Sequence, residues 1–227
     1  MTNYQTSETI SAIKQKILFS AALLFIEKGI TATTFMDIAK ASGLSKNKIL
    51  YEMKNKEEII AELVKYVLEG QFEYTAEFLK GKTEDKILFY AAETTLQLYM
   101  AESSEAIREI YTVAYSLPAS SDIIQKTITG KLQEIFKEHL PDLETKDFYK
   151  LEIASGGIMR GFLTIPCDMW FTMDQKIESF LETTLKLYDV PKEKIREAID
   201  FVAQFDYPTL AKGVIDKLLA YLQRETK

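Results

Sequence analysis

One cysteine and one histidine in 227 residues remove two kinds of chemistry at the outset. Cys167 has no partner for an internal disulfide, and His139 alone cannot anchor a zinc site of familiar spacing. Long apolar runs are also missing. None reaches the roughly 20 residues of a membrane helix, and the polar start MTNYQTSE lacks the basic-then-apolar order of a secretion signal, so a soluble, cytoplasmic chain is expected. Five prolines and nine glycines are few for this length, and no alternating strand pattern is sustained. Repeats, low-complexity tracts and flexible linkers are absent as well. No acid-rich helical metal motif, no glycine-rich phosphate loop and no serine or cysteine with a nearby histidine occurs, which argues against an enzyme and against a cofactor. What remains is 47% hydrophobic content, enough for a substantial core, in a pattern that reads as all-α.

The most specific segment runs from Thr33 to Glu58, TTFMDIAKASGLSKNKILYEMKNKEE. Thr34 can cap a helix start while Asp37 reaches back to it, a capping box that puts the first helical residue at Phe35. Phe35, Ile38, Ala39 and Ser42 then share one face, with Ala39 small enough to admit a second helix. Gly43 ends this helix because glycine adopts a left-handed backbone without steric cost. Leu44 plugs the space beneath the turn, and Ser45 caps a helix expected over Lys46 to about Met53. Ile49 and Met53 face inward, leaving Lys46, Asn47, Lys48, Leu50 and Tyr51 on or near the surface. Asn55 with Glu58 makes another capping box, so a long helix starts at Lys56. Two short helices around a tight turn form a helix-turn-helix, whose second helix enters the major groove of DNA. An ordinary hairpin in a bundle would not need both caps and the glycine turn together. Charge adds support: residues 1–60 hold eight lysines against six acids, a balance of +2, so the remainder carries −8 of the total −6. That modest field suits salt-sensitive phosphate binding at one end of the chain.

These residues resemble the N-terminal domain of the TetR family of transcriptional regulators. The resemblance rests on IKQKILFSAALLFIEKG (Ile13 to Gly29), the Thr34 cap, Ile38-Ala39, Gly43-Leu44-Ser45 and Lys56-Glu57, in the family's order and spacing, over about the first quarter of the chain. It implies a helix-turn-helix DNA-binding domain at residues 1–55, joined through a long helix to a C-terminal helical ligand-binding and dimerisation bundle at 56–227. Lys46, Asn47, Lys48 and Tyr51 are the candidate groove contacts, Asn47 for adenine and the lysines for phosphate or guanine, with Thr34, Ser45 and Lys56 at the helix starts beside them. The recognition helix departs from the family: Leu50 holds the usual tyrosine position, and Tyr51 follows about 100° around the helix. Asn47 and Lys48 stand where glycine and threonine are frequent, and Glu52 and Met53 where histidine and phenylalanine are common. Phosphates repel Glu52 unless it accepts from a cytosine amine or pairs with a nearby lysine, and the sequence leaves both open.

Beyond residue 60 the helix signals continue. The fourth helix is expected to run to Leu79 and close at Gly81. Later helices are expected from Thr83 to about Ala101, from Ser104 to before Pro118, from Ser120 or Ser121 to about His139, from Thr145 to Ile165, from Thr172 through Leu187, at Pro191, and from Pro208 to near Arg224. In Ala154 to Phe162, ASGGIMRGF, three glycines interrupt a helical pattern at about 1 kcal/mol each relative to alanine, which fits either close helix packing or a local kink. The resemblance implies that this helix and its successor form a four-helix dimer interface with their symmetry mates, with Gly157, Gly161, Phe180 and Leu187 as candidates. Tyr90, Tyr99, Tyr111, Tyr115, Met159, Phe162 and Trp170 can line an adaptable apolar pocket, although helical spacing alone would place each in a core. There the resemblance implies a site for a small-molecule effector, largely apolar or aromatic, with Arg108, Arg160 or His139 as polar anchor. The expected protein is a homodimeric, ligand-responsive repressor of a palindromic DNA operator. A helical adaptor for another protein is the alternative.

Overall fold

The computed structural model describes residues 12–224, which form eleven α-helices and no strand. The segment MTNYQTSE lies outside these residues. No described helix is long and apolar enough to cross a membrane.

The helices enclose two hydrophobic cores. The first is built from α1 (Ala12–Lys28), α2 (Phe35–Ser42), α3 (Lys46–Glu52) and the first half of α4 (Lys56–Leu79), where Ile17, Leu18, Phe25, Ile38, Ile49 and Ile59 are all but inaccessible. The second lies among α5 (Lys86–Glu102), α7 (Pro118–Phe136), α8 (Thr145–Thr164), α9 (Met173–Leu187) and α10 (Lys192–Val202). At its centre Phe136 stacks on Tyr188 and Tyr90 meets both edge-on, with ring centroids 4.2 to 5.7 Å apart. Four helices take part in both cores, among them α7, which gives Ile124 to the first and Leu132 and Phe136 to the second. Besides α4 and α7, α6 (Glu105–Ala114) gives Ile107 and Tyr111 to the second core and Ala114 to the first. The last helix, α11 (Tyr207–Arg224), runs back so that Tyr207 and Val214 pack in the second core and Leu222 reaches the first.

Several helix starts differ from the sequence expectation, each for a local reason. The cap of α5 is Asp85, whose carboxylate accepts from the Ile87 and Leu88 amides, while Thr83 turns back to accept from Asp85 N. Helix α7 begins at Pro118, which has no N–H to leave unpaired at a first helical position. The Ser120 hydroxyl, expected as a cap there, instead donates to Ala114 O at the end of α6 (2.7 Å). Helix α7 stops at Phe136, and α8 is capped at Glu144, whose N–H donates to Asp147. Thr145 takes no capping role; its hydroxyl donates to Gln133. The Asp189 carbonyl accepts from His139 Nε2 in the tautomer that carries the proton there (3.0 Å). That bond ties His139 to the α9–α10 turn.

The α5–α6 corner carries a buried ion pair. Lys176 of α9, 1% exposed, meets Glu102 at 2.5 Å, and the same carboxylate accepts from Arg108 and from Cys167 N. Burial works to raise the Glu102 pKa, but these hydrogen bonds outweigh it and hold the carboxyl below its ordinary value.

Candidate nucleic-acid interface and internal cavity

The helix-turn-helix is fixed by short-range bonds. Thr34 Oγ1 accepts from Asp37 N (3.2 Å) while Asp37 accepts from Thr34 N (2.8 Å), closing the capping box at the start of α2. Lys28 adds an ion pair at 2.9 Å, and its hydrogen bond, with those from Thr34, holds the Asp37 carboxyl well below the usual range. Gly43 sits at φ 68°, and Ser45 Oγ accepts from Lys48 N (3.2 Å) to start α3. Ile49 and Met53 anchor α3 from beneath with at most 1% exposure. Lys46, Asn47 and Tyr51 are thereby exposed, Tyr51 to 81%.

Two expected contact residues have intramolecular partners. Lys48 Nζ pairs with Glu52 at 3.0 Å and lies 5.2 Å from the Tyr51 ring centroid, so the three side chains form one cluster on α3. Of the two options left open for Glu52, the free protein adopts the lysine pair. The Lys56 ammonium donates to the carbonyls of Ile30 (2.9 Å) and Thr33 (3.1 Å), tying α4 to the α1–α2 turn. At Asn55 the box is incomplete: the amide oxygen accepts from Glu58 N (2.9 Å), but Glu58 reaches back to Lys54 N rather than to Asn55.

The other side of the α1–α2 turn is held by α6. Glu109 accepts from Ile30 N and Thr31 N, both at 2.9 Å, and from the Thr31 hydroxyl. A side chain on Gly29 would collide with this carboxylate, since a Cβ there would lie 2.1 Å from Glu109 Oε2. Nothing in the sequence marks Glu109 for this role, because its partners are 78 and 79 residues away.

Between α1, α4, α5, α6, α7 and α11 lies a cavity of about 380 Å³. Leu63, Leu68, Ile107, Ile110, Ala114 and Leu218 make its walls chiefly apolar, and Gln71, Gln97, Tyr111 and Tyr115 bring polar atoms to it. A smaller space of about 40 Å³ adjoins it at Gln97 and Tyr115 and is lined by Tyr90, Met159, Glu93 and Glu152. Both glutamates are buried without a cationic partner: Glu93 accepts from Gln97 Nε2 (2.7 Å) and Glu152 from the Ser155 hydroxyl (3.3 Å). Burial pushes Glu93 up to about 7 and Glu152 up to about 8. Glu93 was not among the residues expected here, although a lone acid in the apolar run FYAAETTLQLYMA is a signal for burial.

The expected pocket residues therefore divide. Tyr111 and Tyr115 line the larger cavity, and Tyr90, Tyr115 and Met159 the smaller. Tyr99 instead stacks on Tyr207, and Phe162 packs half-buried against Phe171 and Phe180. Trp170 stands 81% exposed in the α8–α9 loop, where Asp168 accepts from its N–H, and lines neither space. Of the anchors the resemblance implied, Arg108 pairs with Glu102, Arg160 is exposed on α8, and His139 bonds Asp189.

Helix α8 runs without a break across its three glycines. Gly157 and Gly161 face outward with no atom within 4 Å of a Cβ position. They continue, at four-residue spacing, a stripe begun by the exposed Tyr149 and Ile153. Leu187 is half-buried, but Phe180 is 1% exposed in the subunit's own core and has no surface to offer a second copy.

Comparison with known proteins places this architecture. The sequence profile of the tetR family of bacterial regulatory proteins matches residues 17–63. The chain is 32% identical over 131 residues to the HTH-type transcriptional regulator QacR of Staphylococcus aureus, covering 56% of this chain and 70% of that protein. It is 31% identical over 123 residues to IcaR of Staphylococcus epidermidis, the HTH-type negative transcriptional regulator of the biofilm operon icaADBC. That match covers 54% of this chain and 63% of IcaR, less than two thirds of its length. Among solved structures, NalD, the secondary repressor of the MexAB-OprM multidrug efflux pump in Pseudomonas aeruginosa, matches at 18% identity and a TM-score of 0.45, over 77% of this chain and 96% of NalD.

Proposed function

This chain belongs to the TetR family of bacterial regulatory proteins, and from that premise we propose that it is a DNA-binding transcriptional regulator, a homodimeric repressor released from a palindromic operator by a small molecule. One observation carries the ligand response. Helix α6 holds the DNA-binding unit through Glu109, while Ile107, Ile110 and Tyr111 of the same helix line the 380 Å³ cavity. A molecule that fits the cavity better in one placement of α6 shifts the population toward that placement and moves the α1–α2 turn with it. Coupling of about 1–3 kcal/mol, typical of such systems, weakens operator binding several-fold to a hundredfold.

In this reading Lys46, Asn47 and Tyr51 contact DNA directly. Lys48 joins them when Glu52 releases it, and Thr34, Ser45 and Lys56 set the helix starts. The outward stripe Tyr149, Ile153, Gly157 and Gly161 supports dimerisation through α8, where the glycines let helices approach closely. The dimer acts in the cytoplasm, with residues 1–55 reading DNA and 56–227 binding effector and partner. Gel shift on a full palindrome and on its isolated half-site tests this directly. Two subunits on the palindrome and a large loss of affinity on the half-site are expected. Equal affinity for both duplexes would exclude a dimeric reader, and no binding to either would favour a protein-binding adaptor.

A further inference from the structure

We infer that the larger cavity accepts an uncharged, mainly apolar molecule carrying a primary amide or lactam, and that the Gln71 side chain anchors it. The inference rests on the effector-site reading of this cavity and adds the chemistry of the occupant. Gln71 stands on α4 with 1% exposure and borders the cavity, yet among the described residues neither its Nε2 nor its Oε1 has a partner in hydrogen-bond geometry. The Tyr111 hydroxyl comes close to this amide without meeting that geometry and donates instead to Met100 Sδ (3.4 Å). Its neighbour Gln97 is occupied at both ends, by Glu93 (2.7 Å) and by the Tyr115 hydroxyl (3.4 Å). A buried amide with both ends open is unusual, because such groups are nearly always paired.

The shape of the open group specifies its complement. A side-chain amide presents one N–H and its carbonyl along a single edge, and the same edge of a primary amide or lactam meets both at once. A lone ketone serves only the N–H end, and a lone hydroxyl has to donate and accept through one oxygen, with bent bonds at both ends. Rotating the Gln71 amide by half a turn exchanges the two ends and leaves the pairing intact. The rest of the wall argues for a neutral, apolar body. Charged side chains occur only toward solvent, where Glu69 and Glu73 are exposed and Lys217 is paired with Glu77 at 2.8 Å. A permanent charge drawn inside would lose its water, and the buried carboxyls nearest to it, Glu93 and Glu152, line the adjoining space and are pushed toward the neutral form by burial.

Calorimetric titration of the full chain with dodecanamide, N,N-dimethyldodecanamide and dodecyltrimethylammonium tests the inference. Dodecanamide is expected to bind about tenfold more tightly than the dimethyl compound, which lacks an N–H, and more tightly than the cation. Gln71→Met, which keeps the length of the side chain and removes its amide, is expected to weaken dodecanamide about tenfold and to abolish its advantage over the dimethyl compound. Equal binding of the two amides, in the wild type and in the variant alike, overturns the amide inference and leaves the effector site standing. Tighter binding of the cation overturns the neutral-ligand inference in the same way. Binding of none of the three overturns both readings. The comparison of compounds on the wild-type chain decides the matter even if the variant folds poorly.

Discussion

Glu109 of α6 accepts the main-chain N–H of Ile30 at 2.9 Å, joining a cavity-lining helix to the α1–α2 turn of the helix-turn-helix unit. Its second oxygen takes Thr31 N at the same distance, so two otherwise open amides at the end of α1 are paired by one side chain. Glu109→Ala removes both acceptors. Amide hydrogen exchange over residues 29–34 is expected to quicken at least about tenfold while α8 and α9 keep their protection. Equal acceleration throughout would mean that Glu109 stabilises the whole fold rather than this joint.

Gly29 is the other half of that joint. Its φ of 85° is a left-handed backbone, and a Cβ would lie 2.1 Å from the Glu109 carboxylate. Gly29→Ala is expected to destabilise by at least about 1–2 kcal/mol from backbone strain alone. Coupling with Glu109→Ala separates the two causes: in the double variant the part due to the collision disappears and the backbone part remains. Thermal unfolding of the four proteins measures it.

On α3 the expected effects separate by role. Asn47→Ala is expected to cost about 1–3 kcal/mol of operator affinity and to relax the preference at one base pair. Lys46→Ala is expected to weaken all sequences alike and to lower the salt slope by about 1. Glu52→Gln frees Lys48 from its 3.0 Å pair and is expected to strengthen binding to any duplex while steepening the salt dependence. Anisotropy titrations over a salt series report all three, and an unchanged affinity and base preference for Asn47→Ala would refute its assignment to a base.

The sequence made the helix-turn-helix legible because its determinants are local: Thr34 with Asp37, Gly43, and Ser45 act within four residues, and each is found in place. Helix starts were misread where two candidate caps compete a few residues apart, as Thr83 and Asp85 do, or where a hydroxyl has a distant alternative, as Ser120 has in Ala114 O. Phe180 and Gly157 show the limit at the surface. Periodicity puts both on faces of α8 and α9 but does not say which face the subunit itself covers. Of the residues around the bundle's internal space, Tyr111 and Tyr115 were legible as wall candidates, but the polar groups that give it character were not. Glu109 and Gln71 take their meaning from helices far along the chain, and the return of α11 to Phe25's core through Leu222 has no local signal.

Glu93 and Glu152 predict how stability depends on pH. Both carboxyls have a folded pKa above their ordinary 4.5, at about 7 and about 8. An acid raised in this way binds its proton more tightly in the folded state, so its contribution is fully present below about pH 4.5 and is lost as pH rises through 7 to 8. Stability is therefore expected to decline between pH 5 and 8 by a few kcal/mol. Glu93→Gln should flatten part of that decline. Denaturant unfolding across this range measures it, and a rise in stability over the same window would be incompatible with neutral buried carboxyls.

Lys176→Met removes the buried partner of the Glu102 carboxylate beneath the α5–α6 corner and leaves it with Arg108 and Cys167 N. Breaking a buried pair from one side is expected to cost about 3–5 kcal/mol. Replacing both partners, with Glu102→Gln in the same chain, should recover much of that loss. Chemical denaturation of the single and double variants reads the difference, and an additive loss would show that the carboxylate is satisfied without the lysine.

Footprinting of the DNA flanking the protein's own gene, at low and at physiological salt, tests the central claim most directly. Protection of a palindrome is predicted, with half-site centres separated by a whole number of helical turns, about 34–36 Å each, and with affinity falling steeply as salt rises. No protection of that DNA even at low salt would contradict the account.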